Sequence, residues 1–320
     1  MKTITVNNND SGRRLDSFIK KCIPRLPEPL IYKYIREKKI KLNGKRCAFD
    51  TRLIENDVIQ LYIKDEFFCS DNGGLLNFTK ADKPIRIIYE DENILLLNKP
   101  AGLLSHPDEN EYNDTAITRI MRYLYEKGEY VPQNENSFAP ALANRIDRNT
   151  TGIIIAAKNA QALRILNEKI KNRELRKLYL CVCIGEFGEK SGILTGFLEK
   201  NKKNNLVFIS KNKAAKSKEI STAYKVLDYN NGLSLVEAEL LTGRTHQIRA
   251  HFASVGHPLL GDGKYGRNAI NKKYGSYKKQ FLCSYKLVFD FKSDAGELGY
   301  LNGRAFEIKD VWFREQFNKL

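Results

Sequence analysis

The sequence predicts an α+β protein in two parts. A small N-terminal unit of helices and a hairpin precedes a larger domain built on a mixed, mainly antiparallel sheet, with flanking helices around a central cleft. Two observations lead there. The first 63 residues carry two helical patterns, an Asn-Gly turn and a closing strand. From about residue 84, short apolar runs follow one another with few helical patterns between them. Strands that arrive back to back cannot all be joined by helical crossovers, so the sheet is not doubly wound.

The elements follow in chain order. LDSFIKKC sets Leu15, Phe18, Ile19 and Cys22 at i, i+3, i+4, i+7, one helical face. PEPLIYKYIREKK gives a second helix with Pro29 in its first turn, where a missing N–H is harmless. Leu30, Ile31, Tyr34 and Ile35 form its apolar face, while Lys33, Arg36, Lys38 and Lys39 lie opposite. Asn43-Gly44 in KIKLNGKRC is a strong hairpin signal, and VIQLYI (58–63) closes the unit. Residues 65–83, with Asp71-Asn72-Gly73-Gly74, show no sustained period and read as a linker, which sets the units at 1–64 and 84–320. Strands IRIIYE and ILLLNK come next, then a helix near 115–126, strand IIIAAK, a helix near 160–171 and strand KLYLCVCI. GILTGFL, LVFIS, STAYKVLDY, LSLVEAELL and FLCSYKLVF complete the sheet. THQIRAHFASV winds as a helix with Ile248, Phe252 and Val255 inward.

Charge narrows the partner. Lys plus Arg number 54 against 38 for Asp plus Glu, a net of +16 with pI near 9.4. Residues 1–65 hold 15 basic and 8 acidic residues, so the first fifth of the chain is the densest in positive charge. Such an excess selects an anionic partner, nucleic acid first. The segment 199–218 carries seven lysines and one acidic residue and reads as an RNA-facing hairpin. MKTITVNNND lacks the basic and apolar regions of a secretory signal, and no apolar run approaches the roughly 18 residues of a membrane span. A soluble cytoplasmic protein is expected, acting as a monomer.

Several chemistries find no support. Cys22, Cys47, Cys69 and Cys283 stand alone, and Cys181 and Cys183 share a strand face, so the six cysteines pack instead of pairing or binding metal. His246 and His251 are five apart, whereas a helical zinc pair wants i, i+4. GDGKYG (261–266) matches a dinucleotide pattern in the wrong context and reads as a loop. No metal and no cofactor is expected. Two features do carry chemistry. In ANRIDRNTTG, Asp147 stands between Arg145 and Arg148 at the mouth of a buried strand, and flanking positive charge favours an ionised carboxylate. In LLTGRTHQIRAHF, Arg244 and Arg249 fall near a strand end and a helix start, placed for a phosphate or a carboxylate.

At these residues the chain resembles the RluA family, the pseudouridine synthases of the large-subunit ribosomal RNA type. ANRIDRNTTG is similar to that family's catalytic signature, LNKPAGLLSHP to its first catalytic-domain motif, TGRTHQIRAHFASVGHPLLGDGKYG to its second long signature, and RKLYLCVCIG to the strand with its active-site tyrosine. The first 63 residues resemble the S-four-type RNA-binding module. Asn144, Ile146 and Thr151 depart from the family's usual His, Leu and Ser. The resemblance implies the pseudouridine synthase fold and the isomerisation of a uridine in RNA, ribosomal RNA first. It implies Asp147 as catalytic carboxylate, Arg249 as its partner, Tyr179 against the target base and Arg145 entering the RNA stack. Lys99 would lie at the cleft rim, with Arg244, Arg36, Lys38 and Lys39 on RNA. Two other classes stay open: a non-catalytic RNA-binding protein of ribosome assembly or translation, and a metal-dependent hydrolase using Asp147, for which no second acidic residue is seen nearby in sequence.

Overall fold

Residues 1–63 fold around their own apolar core. The computed structural model describes residues 1–68, 76–201, 206–266, 268–275, 277 and 279–319. Strand β1 (Lys2–Thr5) precedes helices α1 (Leu15–Cys22) and α2 (Glu28–Arg36), then β2 (Ile40–Leu42) and β3 (Val58–Leu61). The small sheet has the order β1-β3-β2, antiparallel throughout. Leu15, Phe18 and Ile19 pack on Ile31, Ile35, Ile59 and Leu61, as their helical and strand periods require. Strand β1 is absent from the sequence reading because KTIT has a single apolar residue and no alternation to read. The Asn43-Gly44 turn has positive φ at both residues (51° and 74°), the signature of a tight hairpin turn. The arm beyond it is only a bridge between Leu42 and Lys45, and β2 pairs with β3 instead.

This unit is docked on the rest of the chain by polar contacts. Asn136 Nδ2 donates to Asp10 Oδ2 and to the Thr5 carbonyl, both at 2.8 Å, and the Ser137 hydroxyl donates to Asp10 Oδ1. Asn9 Nδ2 donates to Glu135 Oε1 at 2.8 Å. In the segment expected as a linker, a short 3-10 turn (Asn77–Lys80) buries Phe78 against Tyr125 and Tyr130, so its later part is packed. Cys69 and Asp71-Asn72-Gly73-Gly74 lie outside the described residues.

The larger domain runs β4 (Ile87–Glu90), β5 (Ile94–Lys99), α3 (Ala116–Glu126), β6 (Ala141–Leu142), β7 (Thr151–Ala157), α4 (Ala160–Lys171) and β8 (Leu175–Ile184). It continues with β9 (Ser191–Asn201), β10 (Leu206–Ser210), β11 (Lys218–Asn230), β12 (Leu233–Leu240), α5 (Gln247–Ser254), α6 (Asn268–Lys273), β13 (Leu282–Phe289), β14 (Ala305–Glu307) and α7 (Arg314–Phe317). Nine strands form one path, β10-β9-β11-β12-β8-β13-β7-β5-β4, with β14 on β13 and β6 on β7. Among the described residues β7 and β13 are the one strand pair that runs parallel. The mixed, mainly antiparallel sheet predicted from sequence is therefore the observed one.

Period-two alternation gives this sheet two buried faces. On one, Ile153, Ile155, Leu180 and Val182 meet Leu166 of α4 and the late residues Phe313 and Phe317. On the other, Leu97, Ile154, Tyr179, Cys181 and Val236 meet Ile120 of α3 and Phe252 of α5. Where β7 meets β13, Gly152 sits at φ +116°, and a Cβ there would lie 2.3 Å from the Ser284 carbonyl oxygen. Only glycine lets the strands close at this point. Cys22, Cys47, Cys181, Cys183 and Cys283 are free thiols.

Candidate active site

Asp147 lies in the loop between β6 and β7, and that loop is held from three sides. Ala143 N–H donates to the Ile155 carbonyl at 2.8 Å, and Asn144 Oδ1 accepts the Ile155 N–H at 2.7 Å. Asn144 thus ties the loop to the middle of β7. The Ser105 hydroxyl donates to the Ile146 carbonyl at 2.8 Å, and the Gly102 N–H to the Arg148 carbonyl at 2.9 Å. From below, Lys99 Nζ donates to the carbonyls of Pro100 (2.9 Å), Leu103 (2.7 Å) and Arg148 (3.0 Å). Lys99 is 0% exposed, so it is not at the cleft rim as expected from sequence. Three carbonyl acceptors match the three N–H bonds of an ammonium. Burial pushes its pKa down, to about 7, against the pull of the Asp147 charge. The stretch LNKPAGLLSHP is therefore the bed of the Asp147 loop.

The arginines beside Asp147 in sequence are not its partners. Arg148 turns away and donates Nε–H to the Gly102 carbonyl at 2.9 Å, and Arg145 is exposed at the cleft. The partner is Arg249, 102 residues further on, whose Nη1 donates to Asp147 Oδ2 at 2.9 Å. Arg249 points there because its other edge is fixed. Nε donates to Asp262 Oδ2 at 2.7 Å and Nη2 to Asp262 Oδ1 at 2.9 Å, a two-toothed grip. Asp262 in turn accepts the backbone N–H of Lys264 (2.8 Å) and Tyr265 (3.1 Å) on Oδ1. Burial raises the Asp262 pKa, and the Arg249 guanidinium together with those N–H groups outweighs it and holds it below the usual range. Burial also opposes the Arg249 charge, but Asp262 and then Asp147 reverse it and raise its pKa.

Sequence reasoning missed Asp262, although it is the single acidic residue in the stretch 242–266. A buried arginine requires a carboxylate, and that requirement was the available signal. The GDGKYG segment is a loop, as read, and its work is to carry Asp262 and Tyr265. Asp262, far from Asp147 in sequence, thus shares Arg249 with it in the fold. Its oxygens are occupied by Arg249 and backbone N–H groups, and among the described residues no group of three or more His, Cys, Asp or Glu is placed to hold a metal ion.

Helix α5 brings the second half of the site. Its polar residues Gln247, Arg249 and His251 are buried beside Ile248 and Phe252, while Val255, expected inward, is 45% exposed beyond the helix end. Gln247 secures the turn before it, accepting from the Arg244 N–H (3.1 Å) and donating Nε2–H to Thr222 Oγ1 (3.0 Å). Tyr179, on β8, enters from the sheet. Its residue is 6% exposed, and burial raises the phenol pKa; the Ser284 hydroxyl opposes this and the Asp147 charge adds to it. The phenol is a neutral O–H group.

Asp147, Tyr179, Arg249, His246, Arg145 and Arg244 line one cleft of about 290 Å³. This is near the lower end of the roughly 300–1,000 Å³ typical of small-ligand sites. Arg36, Lys38 and Lys39 lie apart, exposed on the N-terminal unit, and Lys39 pairs with Glu37 at 2.8 Å.

The cleft thus brings together a carboxylate, a buried phenol and a doubly anchored arginine on a mainly antiparallel sheet. Residues 93–254 match the family described as RNA pseudouridylate synthase, and the chain belongs to that family, in its RluA type. It is an RNA pseudouridine synthase, an isomerase. It is 33% identical over 288 residues to an uncharacterized RNA pseudouridine synthase of Mycoplasma genitalium, covering 89% of this chain and 88% of that one. It is 37% identical over 210 residues to the ribosomal large subunit pseudouridine synthase D of Borreliella burgdorferi, 65% of this chain and 61% of the relative. The fold is that of human RNA pseudouridylate synthase domain containing 4 (TM-score 0.54, 20% identity, 70% of this chain and 87% of the human one). No helix among the described residues is long and apolar enough to cross a membrane.

Proposed function

We propose that this enzyme converts specific uridines of large-subunit ribosomal RNA to pseudouridine in the cytoplasm, with Asp147 as the catalytic carboxylate. The observation that carries the reading is the Asp147–Arg249 ion pair at 2.9 Å at the cleft, backed by buried Asp262. In the reaction the bond from ribose to uracil N1 breaks, the base turns, and a bond to C5 forms. A charged carboxylate is required whether it attacks the sugar or removes a proton from it. The hydrogen on C5 must leave and N1 must gain one; a phenol that gives its proton to N1 and takes up the one lost from C5 ends as it began, the role assigned to Tyr179. Arg145, exposed at the mouth, fits the family role of filling the stack that the target nucleotide leaves. The ribosomal substrate is supported by the names of relatives such as the Borreliella burgdorferi enzyme.

The N-terminal unit is read as an S-four-type RNA-binding module spanning 1–64. Its separate core, its net charge and its exposed Arg36, Lys38 and Lys39 support this. Incubating wild type and Asp147→Asn with ribosomal RNA fragments in chelator, then assaying pseudouridine and thermal melting, tests the assignment. Asn should keep the fold and the RNA affinity, which rests on phosphate contacts elsewhere, and abolish product. Retained turnover in a folded variant would remove Asp147 from the chemistry. Mapping pseudouridines in ribosomal RNA with and without the gene identifies the site.

A further inference from the structure

His246 stands at the turn into α5 with φ 54°, a left-handed conformation that costs a non-glycine residue strain and is held only where its surroundings impose it. Its side chain is 9% exposed. Nδ1 lies 2.8 Å from the Tyr265 hydroxyl, and that oxygen already accepts the Val207 backbone N–H at 3.0 Å. A phenol has one proton to give, and no other acceptor meets the Tyr265 hydroxyl among the described residues. The proton goes to Nδ1, so the hydrogen-bond network assigns the ring proton to Nε2. Burial lowers the ring's pKa to about 4; Arg249 and Lys264 add to this, and Asp147 and Asp262 oppose it. The ring is neutral, and its Nε2–H donor stands 3.9 Å from Asp147 Oδ2, roughly 1 Å beyond a direct hydrogen bond.

We propose that His246 Nε2–H and Asp147 Oδ2 together grip the ribose 2′-hydroxyl of the target nucleotide, the first donating to its oxygen and the second accepting its proton. The proposal rests on the reading of the cleft as a uridine site. An oxygen about 2.8 Å from each atom spans the gap between them. The bridging group must accept and donate at once. Uracil carbonyls and phosphate oxygens only accept, and Asp147 repels them; uracil N3–H only donates. Within a chain the 3′ and 5′ oxygens are esterified, so the 2′-hydroxyl is the one hydroxyl left on the sugar. It is also the group by which a protein tells RNA from DNA at a given nucleotide. Tyr265, bonded to Val207 on β10, then acts as a positioning residue that fixes the tautomer from the lysine-rich hairpin.

The probe is the shortest ribosomal RNA fragment that wild type converts, made with uridine or with 2′-deoxyuridine at the converted position. The preference for the ribose form, read from binding, should shrink about threefold to tenfold in His246→Ala, the worth of one hydrogen bond. His246→Gln, whose amide donates from near the Nε2 position, should recover part of it. An unaltered preference in folded His246→Ala overturns the proposal. If no fragment is converted by wild type, the function reading fails instead, and the two failures are distinct. Nitrogen NMR of the protein alone gives a readout without RNA: Nε2 should carry the proton from pH 8 to 5, and Tyr265→Phe should disturb that. A ring charged at pH 7, or protonated on Nδ1 alone, overturns the proposal as well.

Discussion

Asp262→Asn should damage the fold more than Asp147→Asn, although Asp262 is the carboxylate further from substrate. The Asp262 side chain is 0% exposed and that of Arg249 10%, whereas that of Asp147 is 24%. An Asn at 262 keeps one oxygen for Lys264 and Tyr265 but sets an amide N–H₂ against the Arg249 Nε–H. Removing one partner of a buried pair costs about 3–5 kcal/mol. Asp147 still offers Arg249 an anion, which places the cost near the lower figure, about 3 kcal/mol. For a domain of this size that is a fall in Tm of roughly 6–12 °C. The stabilisation is pH-dependent with a known sign. The folded pKa of Asp262 is depressed, so its contribution is present above the unfolded value near 3.9 and lost as pH falls through the folded one. Asp262→Asn should therefore flatten the acid limb of the stability curve. Thermal unfolding of both variants across pH checks this. A loss below about 1 kcal/mol for Asp262→Asn, or a larger loss for Asp147→Asn, would refute the anchoring argument.

Four further outcomes are expected. Tyr179→Phe should fold as wild type and lose most of its turnover, since only the hydroxyl is removed; full turnover with an unchanged melt would return Tyr179 to the core. Lys99→Met should cost on the order of 2–6 kcal/mol, because the Pro100 and Leu103 carbonyls lose their donor at about 1–3 each, measured by denaturant unfolding. Replacing Arg36, Lys38 and Lys39 by Ala should lower the log–log salt slope of RNA binding by about 0.7–0.9 for each phosphate no longer neutralised, while turnover at saturating RNA persists. His246 has a folded pKa near 4, below the unfolded 6.5. Its contribution to stability is then full above pH 6.5 and lost as pH falls toward 4, a dependence that His246→Gln should lack.

The strands and helices of the larger domain were legible because their apolar periods are long. Helices at 116–126 and 160–171 and strands at 94–99 and 206–210 follow their patterns closely. Residues placed by a contiguous motif, such as Asp147 and Arg249, could be singled out before their distance was known. What the sequence hid is pairing across space. Arg148 sits next to Asp147 in the chain yet serves Gly102, and the pairing of Asp147 with Arg249, 102 residues away, was implied by the family resemblance and not by the charge pattern. Lys99 reads as a surface cation, and only the fold shows that three carbonyls have taken it inside. His246 reads as part of the THQIRAHFASV helix, whereas it stands just before α5 with a left-handed φ and its ring meets Tyr265.

The place of β13 in the sheet sets an order of events. The Asp147 side (β4, β5, β7) and the Tyr179 and Arg249 side (β8 to β12 with α5) are both made before β13 in the chain, yet β13 lies between β7 and β8. Its Ser284 pairs with Gly152 on one side and with Tyr179 on the other. While the chain grows from its N-terminus on the ribosome, the two halves of the cleft have no strand to join them until residues 282–289 emerge. A nascent or prematurely ended chain can carry its basic N-terminal unit and its aspartate and still lack the register that brings aspartate, tyrosine and arginine together. The register that brings Asp147, Tyr179 and Arg249 to one cleft is thus finished only when β13 is in place.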